Sequence, residues 1–247
     1  MNFPLRIGTR GSKLALCQAQ MAARVLHQCG IETIVCVIET KGDRQQDRIF
    51  SPQDGQGVFT AEIEKALLEH RIDLAVHSLK DLPPERSDEL IIAAIMARED
   101  SRDAFVGRTA STLASLPPGA IVGTSSVRRK MQLLALRPDI RIVDMRGNID
   151  TRLRKLDDGQ YDAICLAAAG LRRLGLASRI SEYFPLNCVT PAAGQGALAV
   201  QIRRDNMGLA AKLATLEHDV TRRAVCAERT VLAELGGGCT VPLGVHA

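Results

Sequence analysis

The chain has 247 residues, a formal net charge of +4, 46% hydrophobic and 24% charged residues, which describes a globular protein of one large domain or two to three small ones. Aromatic residues make up 3% with no Trp, which argues against a stacking platform for single-stranded nucleic acid, and so modest a charge argues against non-specific nucleic-acid binding. No apolar run reaches membrane-spanning length, and the N-terminal MNFPLRIGTRGSKLAL lacks the parts of a signal peptide.

Leu5 to Gly8 is a strand candidate followed by Thr9-Arg10-Gly11-Ser12, with Ser12 placed to cap a helix. Leu14, Leu16, Ala19, Ala22, Ala23, Val25 and Leu26 give that helix a buried stripe, and it ends at Gly30. Thr33 to Ile38 is a second strand, and residues 41 to 57 form a polar, glycine-punctuated loop of functional length. Val58 to Glu69 returns to helical spacing. The buried strand Ile72 to His77 then empties into Ser78-Leu79-Lys80-Asp81-Leu82-Pro83-Pro84, where Ser78, Lys80 and Asp81 stand at its C-terminal end. Leu90 to Ala97 is another strand.

After the charged break Glu99 to Asp103 the pattern starts again. Ala120 to Gly123 reads as a short strand, and Thr124-Ser125-Ser126 opens a helix with Val127, Met131, Leu134 and Leu136 as its apolar residues. Small hydroxyl residues at such a turn cap the helix and leave backbone N–H groups for an anion. Arg128 and Arg129 lie in the first turn; the strand Ile140 to Val143 leads to Arg146-Gly147-Asn148, and Arg152 follows in the next helix. Residues 121 to 155 hold nine Lys or Arg against three Asp. Two strand-to-helix turns thus present arginine at one end of a sheet, where open α/β folds place ligands. A substrate with several carboxylates or phosphates fits that arrangement. The bland alternatives are a solvated helix face for any single arginine and an exposed turn pair for Lys80 and Asp81.

Ala163 to Ala167 is a strand, and Leu171 to Leu176 places Arg172 and Arg173 at or near a helix N-terminus. The turn Val189 to Gly196 leads into the strand Ala197 to Ile202. Two α/β units joined near residue 100, with a second crossing around this turn, make a clamshell with a ligand cleft. Leu209 to Leu216 is a short helix, and Asp219 to Leu235 a long one with Val220, Ala224, Ala227, Val231 and Leu235 on one face. The seven cysteines are odd in number and form no Cys-x-x-Cys pair, so they read as reduced thiols of a cytoplasmic protein, without zinc. Cys17, Cys29, Cys36, Cys165, Cys188 and Cys226 read as core residues. Cys239 differs, because Gly236-Gly237-Gly238 set it on an open loop where a thiol can approach a ligand.

Seven segments together resemble the porphobilinogen deaminase (hydroxymethylbilane synthase) family: Thr9-Arg10-x-Ser12-x-Leu14-Ala15-Leu16, His77 to Pro83, Gly123-Thr124-Ser125-Ser126-x-Arg128-Arg129, Arg146-Gly147-Asn148-x-x-Thr151-Arg152-Leu153, Ala169-Gly170-Leu171-x-Arg173-Leu174, Pro191 to Gly196, and Gly237-Gly238-Cys239-x-Val241-Pro242. The resemblance implies two periplasmic-binding-protein-like α/β lobes around a cleft, plus a small α+β C-terminal domain that is partial here. Residues 1–98 with 197–216 would form the first lobe, 99–196 the second, and 217–247 the part carrying the cysteine. It implies stepwise joining of four porphobilinogens onto a dipyrromethane cofactor held by a thioether to Cys239, with ammonia and the linear tetrapyrrole hydroxymethylbilane released. Asp81 matches the catalytic carboxylate. Arg10, Lys80, Arg128, Arg129, Arg146, Arg152 and Arg173 match residues that hold acetate and propionate groups. Ser12, Ser78, Thr124, Ser125, Ser126, Gly147, Ala169, Gly170 and Gln195 complete the implied binding set. The implied partners are porphobilinogen and the growing polypyrrole, with no metal, nucleic acid or membrane, and a monomer in the cytoplasm.

Two departures from the family pattern stand out. Gln56 and Ala61 replace lysines in the loop, and the sequence ends eight residues after Cys239. The chemistry of the residues agrees with the resemblance, because a polycarboxylate chain calls for guanidinium pairs and helix N-termini. A two-lobed anion-binding or ligand-sensing protein without catalysis explains the clamshell and the arginines, but leaves Asp81 and the glycine-cysteine loop without a task. A nucleic-acid binder ranks third.

Overall fold

The computed structural model describes residues 3–40, 60–83, 87–236 and 242–247. The loop over residues 41 to 57 and Cys239 lie outside the described residues.

Two five-stranded sheets repeat one plan. In the first, β1 (Leu5–Thr9), α1 (Lys13–Gln28), β2 (Thr33–Val37), α2 (Ala61–Leu68) and β3 (Leu74–Ser78) lead to a 3₁₀ turn at Leu79–Asp81 and to β4 (Leu90–Ile95). The second runs through β5 (Asp103–Gly107), β6 (Ile121–Gly123), α3 (Val127–Leu136), β7 (Arg141–Val143), α4 (Ile149–Asp157), β8 (Ala163–Ala167), α5 (Ala168–Arg173) and β9 (Glu182–Tyr183). The chain then returns through β10 (Leu198–Arg203), α6 (Met207–Leu213) and α7 (Asp219–Glu234). The strand orders are β2-β1-β3-β10-β4 and β7-β6-β8-β5-β9. In each, three strands are parallel, with Ile7 opposite Leu74 in the first and Val122 opposite Ala163 in the second. β10 and β5 run antiparallel beside β3 and β8.

Hydrophobic patterning explains the central strands. β3 and β8 each bury four successive residues, as strands covered on both faces must. Ile7, Leu74, Val76, Leu198 and Val200 pack on Ala19, Ala22 and Leu26 of α1 and on Leu209 and Leu213 of α6; each large side chain buried this way stabilises by about 1.5–3 kcal/mol. The edge strand β2 leaves Ile34, Val35 and Val37 exposed.

The chain passes between the sheets twice, and the two crossings run side by side. Met96 N donates to Leu198 O, and Glu99 N to Gly196 O, each at 3.0 Å. Gly196 has φ +89°, and a Cβ there would stand 2.3 Å from the Glu99 carbonyl oxygen, so no larger residue allows this approach. α7 lies against the crossings: Arg98 N donates to Thr221 Oγ1 at 3.1 Å, and the Arg98 guanidinium donates to Glu228 at 2.7 and 3.2 Å. Arg229 donates to the carbonyls of Leu82 at 2.9 Å and Pro83 at 2.6 Å.

Several sequence expectations change here. The buried face of α7 is Thr221, Val225, Glu228 and Arg229, while Val220, Val231 and Leu235 face out. On α3, Arg128, Arg129 and Leu133 point inward and Val127, Met131 and Leu136 are exposed. In both helices an inward cation or carboxylate has a buried partner beneath it, so ion pairing overrides the apolar stripe. Arg172 and Arg173 close the C-terminal end of α5 rather than opening a helix; cations there complement the macrodipole. Cys29, Cys188 and Cys226 are exposed, and only Cys165 of the described cysteines is buried.

Candidate functional site

A cavity of about 450 Å³ separates the sheets on the side where the strands of both meet their helices. From the first sheet, Arg10, Ser12, Gln18, Ser78, Lys80 and Asp81 line it. From the second come Ser125, Ser126, Arg129, Arg146, Gly147, Arg152, Ala169, Gly170 and Arg173. Gly196 and Ala197 of the return crossing close the back.

Local structure accounts for each placement. Ser12 caps α1, accepting from Ala15 N at 3.3 Å, and Ser126 caps α3, accepting from Arg129 N at 3.4 Å. Both helix N-termini therefore open onto the cavity wall. Ser125 Oγ donates to Met145 O at 2.6 Å and accepts from Met145 N at 3.0 Å, which ties the turn after β6 to the turn after β7. Gly147 adopts φ +111° in that second turn, and a Cβ would meet the Thr151 side chain at 2.7 Å. Arg152 Nε donates to Gly147 O at 2.8 Å, and Arg173 Nη2 to Gly196 O at 2.6 Å. Asp81 and Lys80 sit on the 3₁₀ turn that ends β3.

Among the described residues six cations line the cavity (Arg10, Lys80, Arg129, Arg146, Arg152 and Arg173), against Asp81 and Asp150. Burial and then the nearby Arg129 push the Lys80 ammonium down to about 8. Burial, with Arg129 and Arg146 adding repulsion, brings Arg152 down to about 10, so it stays charged at neutral pH. Burial also lowers Arg173, whose Nε is buried without a hydrogen-bond partner. An anion entering the cavity relieves this repulsion and supplies the missing acceptor.

Three members of the implied binding set do not line the cavity. Thr124 is buried and accepts from Ser126 N at 3.2 Å. Arg128 is buried with Nη1 2.7 Å from Asp103 Oδ2, and donates to Thr190 O. Gln195 is fully buried behind the wall and contacts Lys80, Arg129 and Asp103. Two residues escaped the sequence reading. Gln18 is buried in α1 and donates to Ser78 Oγ at 2.9 Å; its only signal was a polar residue inside an apolar stripe. Asp103, in the charged break, is fully buried against Arg128 and Arg129. Among the described residues no group of three His, Cys, Asp or Glu could hold a metal ion, and no helix is long and apolar enough to cross a membrane.

Known families match this chain over two stretches. The family described as porphobilinogen deaminase, dipyromethane cofactor binding domain, matches residues 5–211, and porphobilinogen deaminase, C-terminal domain, matches residues 222–247. The chain belongs to the porphobilinogen deaminase family. A protein of Albidiferax ferrireducens named porphobilinogen deaminase is 51% identical over 243 residues, covering 98% of this chain and 77% of its own length. One of the same name from a Roseiflexus species is 51% identical over 249 residues, covering 100% of this chain and 82% of its own. Among solved structures, a periplasmic substrate-binding protein of an ABC transporter from Coxiella burnetii superposes with a TM-score of 0.54 at 15% identity, covering 91% of this chain and 96% of its own. That likeness shows the fold alone: two periplasmic-binding-protein-like lobes, as expected.

The cavity fits the family's cofactor. Each pyrrole unit carries two carboxylates, so a dipyrromethane brings four negative charges to a wall whose described residues include six cations and two carboxylates. The unpartnered Arg173 Nε is one donor such a carboxylate can take.

Proposed function

We propose that the chain catalyses the porphobilinogen deaminase reaction of tetrapyrrole biosynthesis in the cleft between its sheets. Four porphobilinogens condense head to tail with loss of ammonia, and hydrolysis frees hydroxymethylbilane. The observation that carries this reading is the strongly cationic cavity with Asp81 facing into it.

The bound dipyrromethane supplies the free pyrrole position onto which new rings are joined, and Cys239 is its attachment point. Arg10, Arg146, Arg152 and Arg173 pair with acetate and propionate carboxylates, and the capped N-termini of α1 and α3 add oriented N–H groups. Asp81 stands where positive charge develops. Loss of ammonia from porphobilinogen leaves a methylene-pyrrole cation, which a fixed carboxylate stabilises, and the same group can take the proton released on bond formation. Lys80, next to it on the same 3₁₀ turn, is a further cation for the substrate's carboxylates. Arg128 acts from behind the wall and Arg129 lines it, and Asp103 holds both. The two sheets and paired crossings support a division into lobes 1–98 with 197–216 and 99–196, with 217–247 as a third unit. A monomer working in the cytoplasm, without nucleic acid or membrane, completes the reading.

The test is turnover of porphobilinogen. Ammonia release in step with its consumption, accompanied by a linear tetrapyrrole, is expected; binding without ammonia release would leave an anion-binding clamshell.

A further inference from the structure

Behind the cavity wall lies a buried polar junction that joins both lobes to one crossing. Asp103 opens β5 directly after the first crossing and is fully buried. Its Oδ1 accepts from Arg129 Nε at 2.9 Å, Arg129 Nη2 at 2.7 Å and Gln195 Nε2 at 2.8 Å. Its Oδ2 stands 2.7 Å from Arg128 Nη1 as an ion pair that is not aligned as a hydrogen bond. Burial would raise this carboxyl, but the two guanidinium groups overcome that and hold it well below the usual range.

Gln195, on the second crossing, also donates Nε2 to Ser101 O at 2.8 Å. With both amide hydrogens engaged, its carbonyl oxygen must point the other way. There it accepts from Lys80 Nζ at 3.2 Å and Arg129 Nη2 at 3.4 Å. Lys80 belongs to the first lobe's 3₁₀ turn, Arg129 and Asp103 to the second lobe, and Gln195 to the segment between them. Among the described residues, the charged groups acting on Lys80 include Arg129 and Arg128 from α3, Asp103 from β5, and Asp81 on its own turn. Cys165 of β8 lies in the same field, but its thiol is pushed up to about 12 by burial and stays neutral.

We propose that Asp103 and Gln195 are positioning residues for the reaction: Asp103 fixes the orientation of the Gln195 amide, whose carbonyl holds the Lys80 ammonium beside Asp81 across the hinge. This rests on the reading of Asp81 as the reacting carboxylate. Without Asp103 two buried guanidinium groups face Lys80 with less compensation, and the Gln195 amide is free to turn its NH₂ toward the ammonium. Either change disfavours the charged lysine.

The test uses Asp103→Asn and Gln195→Met, both close in volume to the parent residues. The chain has seven lysines, so the Lys80 side-chain resonance of lysine-labelled protein can be followed and assigned by its loss in Lys80→Arg. The parent should titrate near 8, and both variants about one pH unit lower. Turnover at pH 8.5 should fall ~tenfold in the variants while staying within ~threefold of the parent at pH 6.5. A purely packing role would lower turnover equally at every pH and leave the Lys80 midpoint in place; that result in Gln195→Met overturns the proposal. If Asp103→Asn does not fold, Gln195→Met decides alone. A parent that releases no ammonia would refute the proposed function, while the Lys80 midpoints would still decide whether the junction governs that lysine.

Discussion

Truncating Glu228 to Ala tests how α7 holds the two crossings together. The Glu228 side chain is fully buried and accepts four hydrogen bonds: Arg98 Nη1 at 2.7 Å, Arg98 Nη2 at 3.2 Å, Gly194 N at 2.7 Å and Ala247 N at 2.9 Å. Arg98 lies on the first crossing and Gly194 on the second, so one carboxylate grips both. Removing one partner of a buried ion pair costs about 3–5 kcal/mol, because the other charge is left unpaired. The orphaned Gly194 N–H adds to this, although the terms overlap; Arg98 Nε keeps the Gln195 carbonyl at 2.8 Å, which limits the loss. The expected total is roughly 4 kcal/mol, a large part of the about 5–15 kcal/mol that keeps a domain folded. Urea denaturation followed by circular dichroism measures it. Arg98→Ala and the double variant then give the coupling energy, expected at more than about 2 kcal/mol. A Glu228→Ala loss below about 1 kcal/mol, the level of an ordinary surface change, would refute this account of the hinge.

Asp81→Asn should keep the fold and nearly abolish turnover, a fall of ~10²–10³ in kcat with carboxylate binding largely intact; ammonia release within a few-fold of the parent would remove Asp81 from the chemistry. Arg146→Leu removes a guanidinium lining the cavity, worth about 1.5–3 kcal/mol as a charge-assisted pair, so enzyme carrying partly built chains should accumulate in its intact-mass spectrum. Arg128→Leu, by contrast, should act through folding, costing about 3 kcal/mol in urea denaturation, because this arginine pairs with buried Asp103 rather than facing the cavity. His77 is buried and burial lowers it to about 4. The unfolded chain therefore binds its proton more readily between about pH 6.5 and 4, and stability is lost as pH falls through that window, by roughly 3 kcal/mol in full. His77→Gln should flatten that part of the profile of unfolding free energy against pH; parallel profiles would contradict the assignment.

The repeating order of strand, turn, helix and strand was legible in the sequence because apolar runs such as Leu74–Ser78 and Ala163–Ala167 become central strands with little competition. The cavity arginines were legible for a related reason: Ser12 and Ser126 mark helix starts, and those starts define the cleft. What periodicity could not show were the inner faces of α3 and α7. Their buried charged residues are Arg128, Arg129, Glu228 and Arg229, whose partners stand far away in sequence; Arg129 meets Asp103 across 26 residues and Glu228 meets Arg98 across 130. A hydrophobic stripe records transfer from water, and it is silent when a pre-formed partner compensates a buried charge. The same blindness hid Asp103, which in the sequence is one more acidic residue in a charged break.

The central claim is a cofactor-primed condensation, and intact mass spectrometry of protein made in cells that synthesise porphobilinogen tests it most directly. The account predicts a chain heavier than its sequence by one covalent dipyrromethane, with the added mass on the peptide that contains Cys239 and absent from Cys239→Ala. Unmodified protein of the sequence mass, or an adduct on any of the other six cysteines, would contradict it.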